Sequence, residues 1–325
     1  MTLLWRHLAL MILALICGVD AYMIDDDCGE NTGFVEKKID SAFRLISTVI
    51  TELEKTPVNA DVDDLFNTLF GETATSIGNN GARTDHFLPR MKRLAAIQKR
   101  IDSDQTSSEA DIYDVRFYCT TNRIVKRSDG EYVNKDRNNL AYNPKELKSE
   151  FAHCYNIEQP TLMITMTTTG GHSEIQICPW FLRKSRGFKF TDLQDTSQPF
   201  YAMLSKLIIP IAAVTRYRPI DALVLMDKVI VHELTHTTQA RPATSDMTDN
   251  AYGFKNARRL VQAWQADKSL ERDPIFNADS NALFAVGTWI IINTGSGIGT
   301  DGSFTKPSGN PKAVKPRMRA ISTSS

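Results

Sequence analysis

His232 and His236 stand four residues apart in the run Val231-His232-Glu233-Leu234-Thr235-His236. On a helix, positions i and i+4 project from the same face. Both imidazoles can then reach one metal ion about 2.0–2.1 Å away, the distance at which zinc binds nitrogen. Glu233 follows the first histidine and is rotated off that axis. It can reach a water activated by the metal without itself being a ligand, which is the position hydrolysis requires of a general base. From this chain's own histidine and glutamate content, chance produces the pattern roughly 0.004 times.

Two histidines do not hold a catalytic zinc alone. After His236 the chain has no histidine, no cysteine and one glutamate, Glu271. Pro242 occupies the sixth position after His236, so the pattern with a third histidine there fails. Downstream carboxylates remain at Asp246, Asp249, Asp267, Asp273, Asp279 and Asp301, and His172 is an upstream candidate in a Gly-flanked loop. Glu271 sits at a helix end close to Pro274. Asp246 and Asp249 follow the histidine helix by one loop that can fold back over the metal. Spacing alone leaves the third ligand open.

The elements around these residues are legible from periodicity. Asp221 to Thr238 reads as a helix with Asp221 as N-cap after Pro219. Val35, Ile39, Phe43, Leu45, Ile46, Val49, Ile50 and Leu53 fall at helical spacing, predicting an amphipathic helix. Shorter helices are expected at 62–71, stopped by Gly71, and at 87–101. Further helices are expected at 252–267 and 277–292. Residues 113–119, 161–169 and 173–181 are rich in β-branched and aromatic types and read as strands. A polar insertion covers about 120–150; its Lys126 and Arg127 read as solvated loop residues rather than a processing site.

Residues 1–21 have the form of a secretory signal: Arg6, an apolar run from Leu8 to Cys17, and Ala21 as the last residue. Cys28, Cys119, Cys154 and Cys178 then remain, an even number that reads as two disulfides in an oxidising compartment. The expectation is a secreted, extracellular protein without stable membrane association. Lysine plus arginine and aspartate plus glutamate both number 38, so nothing in the charge favours nucleic acid. The folded domain is expected to span 22–293. Beyond it, 294–325 is Gly/Ser/Pro/Lys-rich and reads as a flexible tail.

Asp249-Asn250-Ala251-Tyr252-Gly253, soon after the histidine pair, resembles the D-x-x-Y-G motif of the aspzincin metallopeptidases, which include deuterolysin and the fungal lysine-specific metalloendopeptidases. Asn277-Ala278-Asp279 resembles that family's later N-A-D motif. The order of Cys28, the runs at 65–71, 117–119 and 175–181, and the histidine helix agrees as well. The resemblance covers most of 28–290, with gaps at 72–118 and 120–160. The Gly-Thr that usually opens the aspartate motif is missing; Ser245-Asp246 stands there. The resemblance implies an α+β, mostly helical zincin-like metallopeptidase domain with a small β-sheet and one Zn2+ per chain. It implies His232, His236 and Asp249 as ligands, Glu233 as base and Tyr252 as a hydrogen-bond donor to the oxyanion. Asp279 matches an aspartate that recognises a substrate lysine, although Ala282 replaces the glutamate expected beside it. It further implies pairing of Cys28 with Cys119 and of Cys154 with Cys178. The expected function is secreted zinc endopeptidase acting on protein or peptide substrates as a monomer, with a preference for a basic residue. The alternative is an inactive zinc-binding or interaction protein on the same scaffold.

Overall fold

A computed structural model describes residues 21–74, 84–99, 114–137, 139–142, 154, 161–168, 171–187, 219–222, 226–246, 252–268 and 273–305. The fold is α+β: seven described helices around two small sheets. The main sheet runs in the order β2 (Gln98–Lys99), β1 (Ala21–Ile24), β3 (Asp114–Tyr118), β8 (Ser173–Ile177), β7 (Met163–Thr167). Its pairings are parallel except the last: β7 lies antiparallel to β8, with Thr165 opposite Ile175. β8 is buried at every position, as expected for a strand covered on both faces.

The helices are α1 (Thr32–Leu53), α2 (Ala60–Phe70), α3 (Thr84–Ala95), α4 (Pro179–Gly187), α5 (Met226–His236), α6 (Phe254–Ala266) and α7 (Ala278–Thr294). The apolar stripe read on α1 is its buried face: Val35, Ile39, Leu45, Ile46 and Val49 have no exposed surface. α7 is apolar nearly all round and accordingly buried, packing against α5, α1 and α2. Phe66 and Phe70 of α2, Phe87 of α3 and Phe284 of α7 form one aromatic cluster, with neighbouring ring centroids 4.6–5.7 Å apart. α5, the histidine helix, is held between α1, α7 and the edge strand β7.

Gly71 ends α2 in the left-handed conformation, φ +76°, with its N–H donating to Asn67 O at 2.8 Å. A Cβ there would also meet Val261 Cγ1 at 3.0 Å. Gly71→Ala is therefore expected to cost about 1–2 kcal/mol, measured by denaturant unfolding against the parent protein.

Several expectations need correction. The strand read over 173–181 stops at Ile177, because Pro179 opens α4 at a position where its missing N–H costs nothing. The helix read over 87–101 ends at Ala95, since Gln98 and Lys99 pair with Ala21 and Tyr22 of β1. Within the insertion, β4 (Ile124–Lys126), β5 (Tyr132–Asn134) and β6 (Leu140–Ala141) make an antiparallel three-stranded sheet. Ala21, expected to close the signal segment, is the first residue of β1, beside Asp114 and Gln98; residues 1–20 lie outside the described residues.

Residues 295–305, expected to belong to a flexible tail from 294, are instead packed on the domain. Thr305 donates to Gly297 O at 2.9 Å, Ile298 bridges to Phe304, and both apolar side chains pack on the core. Residues 306–325 lie outside the described residues.

Cys28 is bonded to Cys119 and Cys154 to Cys178, the pairing implied by the resemblance. Two disulfides are compatible with an extracellular setting. No helix among the described residues is long and apolar enough to cross a membrane.

Candidate metal centre

The last turn of α5 sets His232 and His236 side by side, with their Nε2 atoms 3.2 Å apart. His236 Nδ1 lies 3.1 Å from Thr244 O, a carbonyl that favours the proton on Nδ1 and leaves Nε2 free to bind a metal. Thr244 is itself fixed, its N–H donating to Thr235 O at 2.8 Å and its hydroxyl 2.7 Å from that of Thr235. Below the loop, the buried Arg90 donates to Pro242 O at 3.0 Å and to Ile275 O at 2.9 Å. Nothing local in the sequence marks Arg90 or Thr244 for these roles.

The loop returns a carboxylate to the histidines. Asp246 Oδ1 lies 3.3 Å from His232 Nε2 and 3.5 Å from His236 Nε2. These three residues form a group able to hold a metal ion. Two atoms each bonded at about 2.0–2.1 Å to a tetrahedral ion stand about 3.3–3.4 Å apart, so the residues present fit zinc. Asp249, the ligand implied by the resemblance, lies outside the described residues, as does Glu271.

Glu233 is buried, and its Oε2 accepts from the Thr165 hydroxyl at 2.7 Å. Thr165 belongs to β7, so the edge strand orients this carboxylate. Glu233 is close enough to act electrostatically on both imidazoles. Tyr252 donates to Asp246 Oδ2 at 2.5 Å, and its ring stacks on that of His232 with centroids 5.7 Å apart. About half of Tyr252 is exposed, 54% by area, so its ring borders solvent beside the histidines.

Asp279 sits behind His232 rather than in front of it. Its Oδ1 is 3.2 Å from Lys228 Nζ and 3.8 Å from His232 Nδ1, and its Oδ2 accepts from Gly253 N at 2.7 Å. The carboxylate is buried and already paired with the chain's own lysine. That geometry does not present it to a substrate, unlike the recognition role implied by the resemblance. Lys228 precedes His232 by four residues, so helical spacing alone places it on the histidine face. Asp221, expected to cap the histidine helix, instead accepts from Phe254 N at 2.7 Å and caps α6. Gly253, with φ +83°, lets the chain turn between the two carboxylates.

Burial by itself would lower both imidazoles. The carboxylates of Asp246 and Asp279 outweigh it at His232, whose pKa is pushed up to about 10. At His236 burial is likewise overcome, chiefly by Asp246. Burial pushes the two carboxylates up, yet His232 and His236 hold Asp246, and Lys228 and His232 hold Asp279, well below the usual carboxylate range. Metal binding between the imidazoles must displace their ligating-side protons.

His172, the upstream alternative, lies in the turn after β7, its N–H 3.2 Å from the Thr168 hydroxyl. It is not part of the His232–His236–Asp246 group. No protein-family model matches the chain, and comparisons with curated proteins and with solved structures likewise return no match.

Proposed function

We propose that the protein is a secreted, zincin-like zinc endopeptidase of aspzincin type. The observation that carries this reading is the pairing of two imidazoles at zinc-ligand separation with an adjacent carboxylate, Glu233, that is held by Thr165 and not by the ligand group. Metal retention has no need of Glu233; hydrolysis does. His232 and His236, with a carboxylate from the loop that follows, would hold one zinc ion per chain. Zinc supplies Lewis acidity, polarising the scissile carbonyl and lowering the pKa of water toward about 7.

The chain's own groups do the rest. Glu233 takes the proton of the attacking water and returns it to the departing amine nitrogen, so one water and one peptide give a carboxylic acid and an amine. Thr165 fixes the carboxylate that shuttles the proton. Asp279 backs His232, and Thr244 sets the ring of His236. Substrates are proteins or peptides, and the chain acts as a monomer outside the cell.

The reading is tested on the purified secreted protein by measuring zinc per chain and cleavage of an unfolded protein, with and without a chelator. One zinc per chain and chelator-sensitive cleavage are expected. Zinc binding without cleavage assigns the protein to the inactive zinc-binding class instead. No zinc binding removes both readings.

Substrate preference follows from Asp279. Because Lys228 already neutralises it, matched peptides carrying lysine or norleucine beside the cleaved bond are expected to differ by less than about tenfold in kcat/KM, under about 1.4 kcal/mol. A larger preference for lysine would show that another acid reads the substrate.

A further inference from the structure

We propose that Asp246, not Asp249, is the third zinc ligand, binding through Oδ1, and that Tyr252 is a positioning residue clamping Asp246 through Oδ2. This rests on the zinc reading above and deepens it. The three ligand atoms make a triangle with edges of 3.2, 3.3 and 3.5 Å. Those edges match the face of a tetrahedron whose centre lies about 2.0 Å from each corner, the geometry zinc takes with nitrogen and carboxylate oxygen.

The position of Asp246 is determined by neighbours that have nothing to do with the metal. Ser245 N donates to Phe276 O at 2.9 Å, and Ala278 N donates to Ser245 O at 3.3 Å, tying the residue before Asp246 to the start of α7. Thr244, one residue earlier, is tied to Thr235 on the histidine helix. The backbone thus delivers Asp246 to the imidazoles from two fixed sides.

Tyr252 completes the arrangement. Its hydroxyl donates to the carboxylate oxygen that does not face the histidines, at 2.5 Å, while its ring lies nearly parallel to that of His232, at 18°. A carboxylate fixed this way would offer the ion a single oxygen, Oδ1. A phenol engaged with a ligand carboxylate is a different device from one that donates to an oxyanion.

The test measures zinc affinity by competition with a chromophoric chelator, for the parent protein and for Asp246→Asn, Asp246→Ala, Asp249→Asn, Asp249→Ala and Tyr252→Phe. Circular dichroism and thermal unfolding establish that each variant is folded; the asparagine variants keep the volume should an alanine variant unfold. Both Asp246 variants are expected to lose about 100-fold or more in affinity, and Tyr252→Phe about 10–100-fold, the range for removing a ligand's supporting hydrogen bond. The Asp249 variants are expected to stay within about threefold of the parent protein. Retained affinity in the Asp246 variants with loss in the Asp249 variants overturns the ligand assignment while leaving the peptidase reading standing. Unchanged zinc affinity in Tyr252→Phe with a fall in kcat alone overturns the clamp and makes Tyr252 a catalytic donor. A parent protein that binds no zinc defeats the zinc reading and this inference together.

Discussion

Glu233→Gln is expected to lower kcat for peptide-bond cleavage by about 10²–10⁴-fold, the usual contribution of a positioned general base. Zinc affinity should stay near that of the parent protein. The substitution preserves shape and keeps an acceptor oxygen for the Thr165 hydroxyl, which lies 2.7 Å from Glu233 Oε2. What is lost is the ability to take a proton from water and return it to the leaving amine. The measurement pairs steady-state cleavage of a fluorogenic peptide with zinc content on the same preparation. A variant that keeps zinc and loses turnover separates the base from the ligands. Parallel loss of both would mean that Glu233 holds the metal or the helix. Undiminished cleavage would exclude it as the base.

The largest expected effect on stability lies away from the metal centre. Arg123 and Glu174 form a fully buried pair, 2% and 0% exposed at the side chain, with nitrogen and oxygen 3.1 Å apart. Glu174 also accepts from the Tyr142 hydroxyl at 2.6 Å and from Asn134 Nδ2 at 2.8 Å. Arg123 donates to Gln176 Oε1 at 2.6 Å and lies 3.4 Å from the centre of the Tyr118 ring. Burial opposes the charge on Arg123, but the Glu174 carboxylate more than compensates and raises its pKa. This network joins the three-stranded sheet to β8, the neighbour of the strand that carries Thr165.

Arg123→Met leaves the Glu174 charge buried without its partner, and removing one member of such a pair costs about 3–5 kcal/mol. Denaturant unfolding should show that loss. Adding Glu174→Gln should recover part of it, because a neutral amide has no stranded charge; with the Glu174→Gln single variant, the double variant completes a cycle that measures the coupling of the pair. Equal losses in the single and double variants would show that packing, not charge, sets the cost. Zinc affinity per folded molecule is expected to be unchanged.

Local pattern carried much of the fold. The stripe along α1 comes from a 3.6-residue period that any chain must satisfy if one helix face is buried, and the stop at Gly71 from a left-handed conformation that glycine adopts without strain. The three short strands β4–β6 were not legible, because two or three residues hold too few positions to show alternation. Asp221 looked like the cap of the nearest helix downstream in sequence. It caps α6 instead, more than thirty positions away, because the chain brings that N-terminus to it.

The candidate site divides in the same way. His232, Glu233 and His236 could be read directly, since their relation is fixed within a single turn of helix. The sequence by itself also determined that any third protein ligand after His236 had to be a carboxylate, because no histidine or cysteine follows. Which carboxylates approach, and from which side, only the tertiary structure decided: Asp246 comes to the imidazoles through a loop pinned to α7, and Asp279 is turned to Lys228 behind His232. Thr165 reaches Glu233 from a strand 68 positions away. Such contacts depend on how separate elements pack, and local spacing along the chain holds no record of that distance.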